Sequence, residues 1–158
     1  KHSNSSDRNG SGSSSSSEGF NLMSAVSVVD QNDRLAAIGL FDSLDPYDAF
    51  LDSGCNNTIW RNMAMCTNVY DDPRPYSTKG INGSFVPNLR GTLPGFFDVS
   101  GSEEALWNIL SLSECEDRFD KIDYKKGQYY RVWVKPDYYI EFRRRYGVFI
   151  GNLREYLT

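Results

Sequence analysis

The stretch that decides the fold of this chain reads Asp48-Ala49-Phe50-Leu51-Asp52-Ser53-Gly54-Cys55-Asn56-Asn57-Thr58-Ile59-Trp60. An apolar run leads into an Asp-Ser-Gly triplet, and Thr-Ile-Trp follows four residues after the glycine. The apolar residues on both sides predict two buried strands. The glycine lets the loop between them turn without a side-chain clash. This triplet occurs once in the chain, and it places a carboxyl group at the end of a buried strand.

A carboxyl group on such a loop is suited to proton transfer. Two carboxyl groups about 3 Å apart cannot both ionise, so a pair of them holds one proton. The ionised member can take a proton from water while the protonated member polarises a carbonyl. A chain with one triplet therefore needs a second copy, with Asp52 and its twin on a two-fold axis. In this hypothesis Asp52 is catalytic, Ser53 hydrogen-bonds across the interface, and Gly54 and Thr58 support the loop.

Composition sets bounds on the remaining possibilities. The chain has 158 residues, of which 39% are hydrophobic and 14% aromatic, and this predicts one ordinary strand-rich domain. The net charge of −4 argues against direct nucleic-acid binding, and the lack of a long apolar window argues against a membrane span. The single histidine, His2, leaves no Ser-His-Asp triad within the fold. No zinc site is expected, because no Cys-x-x-Cys pair is present and the only histidine is in the tail. No cofactor is expected, and the chain has no Gly-rich phosphate loop of the Walker type.

The cysteines indicate the compartment. Three are present, Cys55, Cys66 and Cys115, and their odd number and irregular spacing do not describe a disulfide framework. Reduced thiols are typical of an intracellular protein. Cys55 lies beside the Asp-Ser-Gly triplet, where a small buried filler is a simpler interpretation than a reactive thiol.

Turn and strand signals divide the rest of the chain. Residues 1–19 are rich in Ser, Gly and Asn and predict a disordered linker, and an apolar run over 35–40 predicts a first strand. Asn82-Gly83 favours a type I′ hairpin. Residues 89–97 contain two glycines and a proline, which predicts irregular structure or an edge strand. Alternating Tyr, Val, Ile and Phe over 130–142 predict an antiparallel meander.

Residues 102–118 allow two interpretations. Ser102 can cap one long helix that begins at Glu103. Alternatively, 106–110 form a strand, and Ser111-Leu112-Ser113-Glu114 is a capping box that begins a short helix ending near Arg118. Helical spacing alone does not decide between them.

These segments together resemble one protein family. Residues 48–60 are similar to the active-site segment of retroviral-type aspartic proteases. The segments 81–83, 91–96 and 108–114 follow in the order expected of Copia-type retrotransposon proteases. The ending, from residue 130 to 149, is similar to the segment that comes after the protease in such polyproteins. The resemblance covers roughly residues 35–153, and its specific parts are the Asp-Ser-Gly block and Asn-Ile-Leu-Ser-Leu at 108–112.

The resemblance implies a fold and a set of site residues. It implies a mainly β, retropepsin-like closed barrel or sandwich with one short helix, followed by a small antiparallel β-meander. The implied division is a linker over 1–19, the protease domain over 20–120 and a pre-integrase extension over 121–158. A flap closes over the substrate, and a strand supports the catalytic loop from below. The flap residues are Ile81, Asn82 and Gly83, and the supporting residues are Asn108, Ile109 and Leu110.

The implied activity is that of an aspartic endopeptidase. As a homodimer, it would cut a retrotransposon polyprotein inside a cytoplasmic virus-like particle, with the polyprotein peptide as substrate. Two departures bear on this. Cys55-Asn56-Asn57 stands where many retropepsins have Ala and an acidic pair, and Ser111 stands where many have Gly. The alternatives are a non-catalytic binding or assembly module with the same scaffold, and a protease domesticated by a host.

Overall fold

A computed structural model describes residues 39, 42–75, 78–80 and 83–158 of the chain. The predicted linker over 1–19 lies outside these residues, and so does the predicted first strand over 35–40 apart from residue 39. The described strands are β1 (Asp48–Asp52), β2 (Ile59–Trp60), β3 (Thr67–Asp71), β4 (Thr78–Gly80), β5 (Gly83–Phe85), β6 (Leu89–Thr92), β7 (Asp98–Gly101), β8 (Ile109–Ser111), β9 (Ile122–Lys125), β10 (Tyr129–Lys135), β11 (Tyr138–Arg145) and β12 (Val148–Asn152). Helix α1 spans Leu112–Arg118, helix α2 spans Arg154–Leu157, and Met63–Met65 form a 3₁₀ turn.

The strands form one large sheet and one small one. The large sheet has ten strands in the order β3-β6-β7-β2-β8-β1-β12-β11-β10-β9, and β4 and β5 pair separately. The prediction of a mainly β chain is therefore confirmed. The sheet has two ends, β3 and β9, so the described residues do not form a closed barrel.

Strand β1 lies at the centre of the sheet between β8 and β12. It runs parallel to β8, with Leu51 opposite Leu110 and Asp52 opposite Ser111. It runs antiparallel to β12. On its other side β8 is antiparallel to β2, and β2 is parallel to β7. The two strands that flank the Asp-Ser-Gly loop, β1 and β2, are thus both neighbours of β8.

A long hairpin runs from β3 to β6. Strand β3 pairs antiparallel with β6, and β4 pairs antiparallel with β5 between them in sequence. The innermost pair is Gly80 and Gly83. The predicted hairpin is confirmed in its strands, with Gly83 in β5 rather than in the connection. Ile81 and Asn82, the other two predicted flap residues, lie outside the described residues.

The C-terminal strands form the predicted meander and extend the same sheet. Strands β9 to β12 pair in sequence, each antiparallel to the next. Tyr146 and Gly147, between β11 and β12, both have positive φ (52° and 79°). Two consecutive residues with positive φ are typical of a type I′ turn, which matches the twist of a hairpin. The meander thereby returns the chain to β1 through β12.

The main hydrophobic core combines residues from both sides of position 120. Its fully buried members include Trp60, Leu93, Leu110, Val132, Phe142 and Leu153. A smaller cluster of Phe50, Ile109, Val148 and Ile150 lies on the opposite face of the sheet. The segments predicted as a protease domain and as a C-terminal extension therefore share one sheet and one core.

The ambiguity at residues 102–118 is resolved as a strand followed by a helix. Ile109 belongs to the small cluster and Leu110 to the main core, so consecutive side chains are buried on opposite faces. That alternation requires a strand. Ser111 then caps α1 by accepting the backbone N–H of Glu114 at 3.3 Å. Of the two alternatives for residues 89–97, the edge strand was wrong, because β6 lies between β3 and β7, whereas residues 93–97 are irregular as the other alternative expected.

Candidate functional site

Asp52 lies where β1 ends and the Asp-Ser-Gly loop begins. Its side chain is buried, with 2% of the residue exposed. The Oδ1 atom accepts the backbone N–H of Gly54 at 2.7 Å. A hydrogen bond from a backbone amide two residues ahead fixes the carboxyl group relative to the turn. Because Phe50 precedes it by two residues in the strand, Asp52 shares the face of the small cluster.

The loop after Asp52 faces solvent. Ser53, Gly54, Asn56 and Asn57 are exposed, and Cys55 between them is half-buried. The Cys55 thiol contacts the carbonyl oxygen of Asp52 at 3.8 Å. Burial, together with the charges of Asp52 and Glu114, raises the pKa of this thiol to about 12. Cys55 is therefore a protonated, inert thiol at neutral pH, in line with its interpretation as a small filler.

Three residues brace the loop at its far end. Thr58 is 2% exposed, and its hydroxyl oxygen accepts the backbone N–H of Ser111 at 2.9 Å. The backbone N–H of Thr58 in turn donates to Oε1 of Glu114 at 2.6 Å. The Ser111 hydroxyl lies 2.8 Å from the carbonyl oxygen of Cys55 and donates to it. These bonds tie the loop to the start of α1 across more than fifty residues of sequence.

Glu114 and Ser111 belong to the candidate site, although sequence analysis assigned them only to the start of the helix. The capping box predicted that the Glu114 side chain would return to the N–H of Ser111. The N–H of Ser111 instead donates to the hydroxyl oxygen of Thr58. The Glu114 carboxylate accepts the backbone N–H of Thr58. The capping-box pattern located both residues at the helix start. It carried no signal for their long-range partner Thr58, because that partner depends on the antiparallel pairing of β2 and β8.

Asn108 supports the site from below through its side-chain amide. The residue is 1% exposed. Its Oδ1 atom accepts the backbone N–H groups of Arg61 and Asn62 at 3.0 and 2.8 Å. Its Nδ2 atom donates to the carbonyl oxygens of Pro46 and Asp48 at 3.0 and 3.1 Å. One buried side chain therefore fixes the strand that enters the loop and the segment that leaves it.

The predicted site residues are brought together in part. Asp52, Thr58 and the strand Ile109–Leu110 meet at the β1–β8–β2 junction, with Asn108 directly before that strand. Ser53 and Gly54 form the exposed turn next to Asp52. Gly83 lies in the long hairpin, whose tip residues Ile81 and Asn82 lie outside the described residues.

Comparison with known proteins adds no relative. The chain matches no protein-family model, no curated protein and no solved structure. The arrangement around Asp52 therefore has to be interpreted from its own chemistry.

Two further properties concern binding. Within the part of the chain that the structure describes, no group of three or more His, Cys, Asp or Glu side chains is placed to hold a metal ion. Among the same residues, no helix has the length and apolar character needed to cross a membrane.

Proposed function

We propose that this chain is an aspartic endopeptidase of the Copia-type retrotransposon kind, active as a homodimer that contributes one Asp52 from each copy. The proposal includes a retropepsin-like arrangement of β1, β2, β8 and α1 around the catalytic loop. Its substrate would be the polyprotein, cut inside a cytoplasmic virus-like particle.

One observation carries the proposal. A carboxyl group stands at the end of a central strand, bound to the N–H of Gly54 at 2.7 Å, beside a parallel strand that leads directly into a helix. The loop that holds it is fixed by hydrogen bonds among Thr58, Ser111 and Glu114, of which the Thr58–Ser111 bond is fully buried. An ordinary surface Asp-Ser-Gly turn has no need of such a framework, whereas a catalytic carboxyl requires a rigid support.

The exposed loop supports the dimer. A single copy holds one such carboxyl, and amide hydrolysis by carboxylates needs two of them sharing a proton. Ser53 and Gly54 are exposed directly next to Asp52, so a second copy can approach along a two-fold axis through this turn. Each Ser53 hydroxyl would then hydrogen-bond to the partner loop and hold the two carboxyl groups in register.

The reaction follows from the shared proton. The ionised carboxyl accepts a proton from a water molecule, and the resulting hydroxide attacks the scissile carbonyl carbon. The protonated carboxyl donates a hydrogen bond to the carbonyl oxygen and stabilises the charge that develops there. The proton taken from water then passes from the carboxyl group to the leaving nitrogen as the carbon–nitrogen bond breaks. In this scheme the two Asp52 carboxyl groups accept or donate every proton that is transferred.

The long hairpin supports an extended peptide substrate. Its outer strands, β3 and β6, belong to the large sheet, and its inner strands, β4 and β5, pair separately with two residues between Gly80 and Gly83. A peptide held between such a hairpin and the Asp52 loops can form main-chain hydrogen bonds along its length. Cleavage specificity would then come from pockets for alternate side chains of the peptide.

One observation favours a second candidate function. With 2% of the residue exposed, the Asp52 carboxyl is covered within the single copy. A non-catalytic binding or assembly module with the same scaffold has no need of an accessible carboxyl, whereas a protease domesticated by a host needs one as much as the retrotransposon enzyme does. The peptidase proposal instead requires that pairing of two copies, or entry of the peptide, uncovers this group.

The experiment that separates the candidates compares Asp52→Asn with the wild-type chain. Both are incubated with a polyprotein fragment between about pH 4 and 7, with and without a statine-type transition-state mimic. We expect specific cleavage by the wild type, inhibition by the mimic, and no cleavage by Asp52→Asn. Asp137→Asn, in the exposed turn between β10 and β11, is the matched control and should cleave normally. Specific cleavage that persists in Asp52→Asn would refute the peptidase assignment.

A further inference from the structure

The outer face of the meander carries rings and cations in alternation. On β10, Tyr130, Val132 and Val134 face the main core. The residues between them, Tyr129, Arg131 and Trp133, must therefore lie on the opposite face. Their direct partners on β11 share that face, and these are Arg143, Glu141 and Tyr139 in the same order.

Close contacts order this face. The guanidinium of Arg131 lies 4.2 Å from the ring centre of Tyr129 and 4.8 Å from that of Tyr139. The ammonium of Lys121 lies 4.6 Å from the Trp133 ring, and the Trp133 and Tyr139 ring centres are 4.9 Å apart. Rings held by cations and by each other have little rotamer freedom left to lose when a ligand binds.

One carboxylate neutralises only part of the positive charge. Glu141 accepts hydrogen bonds from Arg131 and Arg143. Partial burial alone would raise the pKa of Glu141, but these two bonds lower it below its ordinary value. Glu141 is therefore ionised at neutral pH. The Arg143 side chain remains 70% exposed and that of Lys121 60% exposed, so both are available to a ligand.

The charge on this face opposes the charge of the whole chain. The net charge of the chain is −4. The strand registers place five basic residues on the outer face against two acidic ones, Asp123 and Glu141. The basic residues are Lys121, Lys125, Arg131, Arg143 and Arg145. The acidic balance that argued against a nucleic-acid partner is thus an average that this face does not follow.

We propose that this face binds single-stranded nucleic acid. The exposed cations, Arg143 and Arg145 foremost, would contact phosphates, and bases would stack on Tyr139, Trp133 and Tyr129. Aromatic rings on a basic surface are the combination that holds unpaired strands, because every base presents a π-face and every phosphate a negative charge. A duplex hides its base faces within the stack, so it would lose the aromatic part of the interaction. The proposal does not depend on the role of Asp52.

The arginine run at the end of β11 provides a matched test. Arg143 and Arg145 lie on the outer face, opposite Ile150 and Val148 of the small cluster. Arg144 lies opposite Phe149, which packs on the main core, and so points to the other side. The probe is a fluorescein-labelled oligothymidylate of about 20 nucleotides, longer than the ~4–16 nucleotides that one OB fold covers. Its anisotropy is measured with the full chain at several salt concentrations from about 50 mM upward.

We expect the double variant Arg143→Gln/Arg145→Gln to weaken binding and to reduce the slope of log K against log salt by about 1.4, or about 0.7 per lost phosphate contact. Arg144→Gln should bind as the wild type does. Tyr139→Leu should bind roughly tenfold more weakly, whereas Tyr139→Phe keeps the ring and should bind normally. Asp52→Asn should bind normally as well, which separates this proposal from the peptidase proposal.

Four results would overturn the proposal. These are no binding of the oligonucleotide by the wild type at low salt, equal loss in Arg144→Gln and the double variant, equal loss in Tyr139→Phe and Tyr139→Leu, and a duplex that binds as tightly as the single strand. The circular dichroism spectrum and melting temperature of each variant show whether a loss of binding reflects the altered face or an unfolded chain. A variant that unfolds is replaced by the single substitution Arg143→Gln, at a side chain that is 70% exposed.

Discussion

The hydroxyl oxygen of Thr58 lies 2.9 Å from the backbone nitrogen of Ser111 and accepts its hydrogen bond inside the protein. Thr58 ends the Asp-Ser-Gly loop, and Ser111 ends β8 and caps α1. Both residues are buried, at 2% and 0% exposure. The bond therefore joins the loop that carries Asp52 to the element beside it, without solvent to replace either partner. Loss of this hydrogen bond should reduce both the free energy of unfolding and the activity.

We expect Thr58→Val to reduce the free energy of unfolding by about 1–3 kcal/mol, because it leaves the buried N–H of Ser111 without an acceptor. Thr58→Ser keeps the hydroxyl and should lose far less. Urea unfolding of the two variants measures the difference, provided that the m-value is unchanged. Equal stability of the valine and serine variants would show that the bond contributes nothing.

Replacement of Asn108 tests the support below the loop. In Asn108→Leu the N–H groups of Arg61 and Asn62 lose their acceptor, whereas the carbonyl oxygens of Pro46 and Asp48 keep other donors. We expect a loss of about 2 kcal/mol for two partly buried N–H groups. The control Asn56→Ala lies in the exposed loop and should stay within about 0.5 kcal/mol of the wild type. Urea midpoints compare the two, and a leucine variant as stable as the control would contradict this role.

The three cysteines should make the free energy of unfolding depend on pH in the alkaline range. Burial and neighbouring carboxylates raise the pKa of Cys55 from 9.0 to about 12, and burial raises that of Cys66 to about 11 and that of Cys115 further still. Above pH 9 the unfolded chain loses thiol protons that the folded chain keeps. Stability is therefore complete below about pH 9 and falls as the pH rises toward 12.

The same shifts predict slow thiol chemistry. At pH 8 the native thiols should react with a disulfide reagent such as DTNB far more slowly than the unfolded chain does, because only the thiolate attacks. For Cys55 the thiolate fraction alone predicts a reduction of about a thousandfold. Reaction of a native thiol at the rate of the urea-unfolded chain would show that these sulfur atoms are not buried as described.

Removal of the C-terminal strands tests whether residue 120 is a domain boundary. A chain that ends at residue 120 loses β12, the antiparallel partner of β1. It also loses three residues of the main core from the other C-terminal segments, Val132, Phe142 and Leu153. We expect this fragment to show no cooperative thermal unfolding, because the strand that carries Asp52 becomes an edge with an exposed apolar side. The full chain is the control. A fragment that melts cooperatively near the temperature of the full chain would establish an independent domain.

Local pattern predicted much of the fold near the site. The apolar runs before Asp52 and after Thr58 indicated β1 and β2, and the capping box located the start of α1. These signals are local, since strand period and helix caps depend on neighbouring residues. The hairpin strands around residues 81–82 were predicted on the same basis.

Pairing between strands that are far apart in the sequence could not be predicted from local sequence patterns. Sequence alternation predicted the meander, but nothing in it indicated that β12 would lie against β1, a hundred residues earlier in the chain. The partner of the Glu114 carboxylate was missed for the same reason. The net charge of the chain did not indicate that the outer face of the meander is basic. A total over the chain does not reveal which side of a strand each charged residue faces.

The two-copy site can be tested most directly by mixing wild-type and Asp52→Asn chains. Equal amounts are refolded together, so that copies pair at random, and cleavage is compared with the same total concentration of wild type. If each site needs two Asp52 carboxyl groups, only wild-type pairs act, and the rate should fall to about a quarter. A rate of one half would contradict the account, because each chain would then cleave by itself.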